Sequence, residues 1–173
     1  MKFKITSNSH WDSKNNHLFH HLYDFSKKRL KFERDIDELF LLDDIKNEEN
    51  PLGLTAYYQP ASFQVVLYTS GRHIKDLLRS FAHELVHHKQ NCENKLETEA
   101  FEQGYAQNNP HLRKLEEEAY LIGNMNMRDW SDNYKKGEGL IREWTSLLMK
   151  TQQQISLREN KGKKNVQTKQ RNR

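Results

Sequence analysis

The chain is poor in the features that brace a small domain covalently or carry it into a membrane. Of its 173 residues one is cysteine, Cys92, so no internal disulfide framework can form, and a reducing, cytoplasmic setting is favoured. No run of about 18 apolar residues occurs, which excludes an ordinary membrane span. The start, Met1-Lys2-Phe3-Lys4-Ile5-Thr6, has no long apolar stretch behind its lysines, so no signal peptide is expected. Apolar residues are scarce throughout, at 35%, with a mean hydropathy of −1.04. A chain of this length can bury a core, but at that hydropathy part of it must stay exposed.

Charge is unevenly placed. Residues 158–173 hold seven Lys/Arg against one Glu, a net of +6, so the overall +4 leaves residues 1–157 at −2. We expect one domain over residues 1–157 and a basic, disordered tail over 158–173. The tail has the charge to attract nucleic acid or another polyanion weakly, but no aromatic residue to stack on a base.

The first dozen residues read as irregular. From Asn15 to Lys31, Leu18, Leu22 and Phe25 recur at helical spacing and predict an amphipathic helix. Lys27-Lys28-Arg29 lies near its C-terminal end, where cations suit the dipole. His17 and His21 stand i, i+4 on it, without a glutamate between them in a catalytic position, and read as surface or partly packed. Leu39-Phe40-Leu41-Leu42 reads as a buried strand, and Asn50-Pro51 with Gly53 as a loop. Leu54 to Tyr58 and Phe63 to Thr69, joined through Gln59-Pro60-Ala61-Ser62, predict a β-hairpin. The second strand, Phe63 to Thr69, is the expected free edge for an extended peptide.

From His73 to Gln90, Ile74, Leu77, Leu78, Phe81, Leu85 and Val86 form a continuous stripe of 3.6-residue period, the strongest helix signal in the chain. Asn91 to Asn109 is a polar excursion with a short helix expected around Glu97 to Phe101. Pro110 suits the first turn of a helix over His111 to Asn126, ended by Asp129-Trp130-Ser131-Asp132. A last helix is expected over Gly139 to Gln152.

The stripe helix carries His83-Glu84-x-x-His87. At i, i+4 both imidazoles lie on one face, about one turn apart, and can bind one metal ion from the same side. Glu84 is placed to reach a water at that ion without being a ligand. A catalytic zinc takes three protein ligands, so one more is needed. Glu116-Glu117-Glu118 is the best region, and helical phase separates its members. Glu116 shares a face with Ala119 and Gly123, whose small size lets two helices approach closely. Glu118 shares a face with Leu115, Leu121, Ile122 and Met125, and Glu117 sits nearest Arg113 and Lys114. Glu116 is preferred, Glu118 is the alternate, and Glu97 and Glu99 remain.

HELVH followed by Glu116-x-x-Ala119 resembles the gluzincin metallopeptidases, whose third ligand lies in an E-x-x-A-like helix. The size, and the hairpin before the motif, are similar to minimal gluzincins and SprT-like proteins, and to short uncharacterised metallopeptidases of tailed phages. The resemblance covers about Leu54 to Trp130. It implies an α+β zincin-like fold: a small antiparallel sheet packed on the HExxH helix and a following glutamate-bearing helix. It implies a Zn²⁺ peptidase acting on a peptide or protein substrate, in the cytoplasm, or in a host cytoplasm or virion if phage-encoded. Where many gluzincins carry an Asp after the alanine, to orient a histidine ligand, this chain has Tyr120. The orienting partner is thus unassigned.

The expected chemistry is hydrolysis at Zn²⁺ held by His83, His87 and Glu116, with Glu84 as general base and a separate donor for the oxyanion. His111, Tyr120, Tyr105 and His88 are the candidate donors. The competing readings are a metal-binding protein without catalysis and a nucleic-acid-associated SprT-like protein using its basic tail.

Overall fold

The structure is a computed structural model that describes residues 3–96 and 109–138, together with Met149. It is mixed α and β. Strand β1 (Lys4–Ser7) leads through a short turn into helix α1 (Asn16–Leu30). Strand β2 (Glu38–Leu42), the short helix α2 (Ile45–Glu49), strand β3 (Ala56–Gln59) and strand β4 (Gln64–Tyr68) follow, and then helix α3 (Ile74–Cys92). The chain is helical over residues 110–138, and residues 110–130 of that stretch are called α4 here. Two compact units divide the chain, 1–130 and 131–173. In the second, residues 131–138 are helical and Tyr134 bonds Glu138. Among the described residues no helix is long and apolar enough to cross a membrane.

The four strands lie in the order β1-β2-β4-β3. The sheet is mixed, not antiparallel as expected: β1 pairs parallel with β2, β2 parallel with β4, and only β3 and β4 form the antiparallel hairpin. The parallel β1–β2 pairing follows from α1, which crosses between the two strands. The start of the chain is therefore not irregular, since Lys4 to Ser7 pair with Glu38 to Leu41. The expected edge strand is corrected as well. β4 lies inside the sheet, with Val65, Val66 and Leu67 all buried, and among the described strands the edges are β1 and β3, of which β3 lines the cleft described below. A run apolar on both faces marks an interior strand, and β4 has one.

The core lies between the sheet, α1 and α3. From α3 it takes Leu77, Leu78, Phe81, Ala82, Leu85 and Val86. Phe81 meets Phe19 of α1 edge to face, with ring centroids 5.6 Å apart. Truncating either ring to alanine would cost about 3–5 kcal/mol. That packing rotates α3 so that its histidine face looks away from the core, over the free edge of β3.

Helix α4 docks on α3 and α1 through Leu115, Ala119, Asn126, Met127 and Trp130, all buried. It does not end at Asp129-Trp130-Ser131-Asp132. Asp129 pairs with Arg29 of α1, and Trp130 Nε1 donates to His21 Nδ1 at 2.9 Å, so Asp129 and Trp130 belong to the docked face. The helix expected at Glu97 to Phe101, the basic tail, and the helix at Gly139 to Gln152 apart from Met149 lie outside the described residues.

Candidate metal centre

His83 and His87 project from α3 at the floor of a cleft of about 1100 Å³. Its walls include β3, the loop before it, and the Glu116, Tyr120 and Asn124 side of α4. The Nε2 atoms of the two histidines are 3.1 Å apart. Glu116 reaches them from α4, with Oε2 3.4 Å from His83 Nε2 and Oε1 3.3 Å from His87 Nε2. All three donors lie within 4.8 Å of one another.

This triangle fits a zinc ion. Nitrogen and oxygen ligands about 2.0–2.1 Å from a tetrahedral zinc stand roughly 3.3 Å from each other. The three separations are of that size, and two imidazoles with one carboxylate are an ordinary donor set for zinc. His83, His87 and Glu116 form the only such group among the described residues.

Glu116 gets there because α4 comes close to α3. A Cβ on Gly123 would lie 3.3 Å from the Ala82 carbonyl oxygen, and Ala119 on the same face is fully buried. Glu118, the alternate ligand, points to a different partner: its Oε2 accepts from Gln90 Nε2 at 3.0 Å. Glu117 faces solvent beside Arg113. Glu97, Glu99 and Tyr105 lie outside the described residues.

Glu84 is 5% exposed, beside the two histidines on the cleft wall. Burial pushes its carboxyl up from the ordinary value. The His87 and His83 imidazoles oppose that shift, Glu116 adds to it, and the Tyr58 backbone N–H opposes it. For His87, desolvation pulls the imidazole down, but the Glu116 hydrogen bond and the charges of Glu84 and Glu116 outweigh it, so the net direction is up.

The candidate oxyanion donors fall in different places. Tyr120 lines the cleft, 63% exposed, with its ring against that of His83 at a centroid distance of 4.6 Å. His111 is exposed, and its Nε2 donates to the Lys95 carbonyl at 3.1 Å, outside the described cleft lining. His88 is fully buried and is not part of the cleft lining. It accepts from Tyr58 Oη at Nδ1 (3.0 Å) and donates from Nε2 to the Arg34 carbonyl (2.8 Å). Asn91 Nδ2 donates to the same Tyr58 oxygen at 2.9 Å, and Phe32 and Phe63 stand edge-on to the His88 ring. His88 thus anchors β3 to α3.

Sequence reasoning missed Gln90. It is fully buried, with Oε1 2.8 Å from His87 Nδ1. No family model matches the chain, and neither a curated protein nor a solved structure matches it.

Proposed function

We propose that the protein is a zinc-dependent peptidase of the gluzincin type, using His83, His87 and Glu116 as ligands and Glu84 as general base. The observation that carries this reading is the triangle of donor atoms spaced for a tetrahedral ion, with a buried glutamate beside it, on the floor of an open cleft.

Zinc bound there supplies a Lewis acid and lowers the pKa of water to near neutrality. Glu84 accepts the proton of the attacking water and passes it to the leaving amine; its burial raises its proton affinity. Tyr120 is the best-placed donor for the oxyanion, since its phenol stands over His83 at the cleft wall.

The free edge of β3 supports an extended peptide as substrate. Tyr68 N–H bonds the Thr55 carbonyl, and that fixes the alternation along the hairpin. Tyr57 and Gln59 turn their backbone groups to β4, while Ala56 and Tyr58 turn theirs to the open edge. The Tyr58 N–H faces Glu84 and lowers its carboxyl pKa, and among the described residues the Tyr58 carbonyl and both Ala56 groups are left for the peptide. Recognition of this kind reads backbone more than side chains.

The test is zinc content and peptide hydrolysis of the purified full chain. One equivalent of zinc and chelator-sensitive cleavage of an unstructured protein such as casein are expected. Zinc without cleavage, over a panel of peptides, would leave a metal-binding protein; no bound zinc would end both readings.

A further inference from the structure

Gln90 lies three residues past His87, fully buried, and a primary amide sealed in a core needs its polar groups satisfied. Its Nε2 stands 3.0 Å from the Leu115 carbonyl oxygen and 3.0 Å from Glu118 Oε2. The Leu115 carbonyl can only accept, so this end is the NH₂ end and the amide cannot be reversed. Oε1 therefore faces His87 Nδ1, at 2.8 Å. An amide oxygen only accepts, so Nδ1 carries a proton, and in the neutral ring Nε2 keeps the lone pair. Nε2 is the atom that stands 3.3 Å from Glu116 Oε1.

We propose that Gln90 is a positioning residue that fixes His87 as the Nδ1–H tautomer and aims the Nε2 lone pair at the metal centre, with Leu115 and Glu118 as its anchors. The assignment rests on the metal reading above. Leu115 and Glu118 flank Glu116 on α4, so one side chain sets the tautomer of one ligand and holds the helical turn that carries another. Glu118 acts through Gln90, with Lys89 Nζ 3.9 Å from its other oxygen.

The experiment combines nitrogen NMR of histidine in the metal-free full chain with zinc affinity by chelator competition. In the parent, at a pH high enough to leave the ring neutral, His87 is expected as a single Nδ1–H tautomer. Gln90→Leu is expected to mix the tautomers and weaken zinc binding about 10–100-fold. If that variant does not fold, Glu118→Leu at the partly exposed anchor is expected to weaken zinc binding in the same direction by a smaller factor. Gln90→Glu keeps the acceptor for His87 but sets two carboxylates together; adding Glu118→Gln restores a donor between them and is expected to recover part of the zinc affinity, with the Leu115 carbonyl still lacking its donor. A purely structural amide would show no such recovery.

Zinc affinity within about twofold of the parent in both single leucine variants would overturn the proposal, as would an unchanged His87 tautomer in a folded Gln90→Leu protein. A parent that binds no zinc but shows the Nδ1–H tautomer would overturn the proposed function instead, so the two failures are distinguishable.

Discussion

Gly123 lies against the backbone of His83: a Cβ on residue 123 would stand 2.9 Å from His83 Cα and 3.2 Å from its nitrogen. The contact is on the same face of α4 as Glu116, two turns later, and it sets how near that carboxylate comes to the histidine pair. Gly123→Val is therefore expected to push α4 outward. Zinc affinity should fall by about tenfold or more, comparable to losing an orienting partner, with about 1–3 kcal/mol of stability lost to overpacking. Chelator competition and urea denaturation measure the two effects. Unchanged zinc affinity in a folded variant would show that α4 is not held by this contact.

Glu84 and Glu116 are both glutamates at one centre, and their variants should separate. Glu84→Gln keeps the donor triangle, so bound zinc should remain stoichiometric while hydrolysis falls by about 10²–10⁴-fold. Glu116→Ala removes a donor, so zinc itself should be lost on dialysis. Metal analysis of the two proteins side by side decides the assignment; loss of zinc from Glu84→Gln would reverse it.

Tyr120 touches His83 with its ring and lines the cleft. Tyr120→Phe keeps the ring and removes the donor. The expected outcome is a kcat lower by about 10²–10³-fold, as for a lost oxyanion donor, with KM and zinc content close to the parent. A kcat within a few-fold of the parent would move the search to another donor.

His88 links pH to stability. Burial pulls its pKa below the usual 6.5, against an opposing hydrogen bond to the Arg34 carbonyl. Between the folded value and 6.5 the unfolded chain carries a proton that the folded chain does not. This contribution to stability is therefore complete above that window and is lost as pH falls through it. Urea midpoints of the parent should drop from pH 7 toward pH 5, and His88→Gln should show a shallower dependence. The variant should also be less stable at pH 7 by about 1–3 kcal/mol, because the Tyr58 and Arg34 partners lose a fitted ring. An identical pH slope in parent and variant would clear His88 of the effect.

Much of the centre was legible because helical phase is a strong filter. The stripe from Leu77 to Val86 placed α3, and spacing to Ala119 and Gly123 separated Glu116 from its two neighbours, which the structure turns to Gln90 and to solvent. Other features leave weaker marks. Lys4 to Ser7 is too short to show alternation, and its parallel partner lies 34 residues away, so nothing local announces β1. Trp130 continues the buried spacing of Gly123 and Met127, but the acidic residues around it read as a break until Arg29 is seen beside Asp129. Gln90 gave no signal at all. A polar residue near the end of a helix reads as exposed, and only the arrival of Leu115 and Glu118 makes it buried.

The hairpin of β3 and β4 and the helix α3 are consecutive in the chain, so the strand edge, Glu84 and both histidines come from one continuous stretch. Pairing β1 with β2 and docking α4 require longer loops to close, and such non-local steps are the slower ones. The histidine half is thus expected to condense first and Glu116 to arrive late. Binding energy from an ion shared between α3 and α4 then falls after the folding barrier. Such an ion would act as a brake on unfolding, lengthening the lifetime of the native chain while leaving its folding rate nearly unchanged.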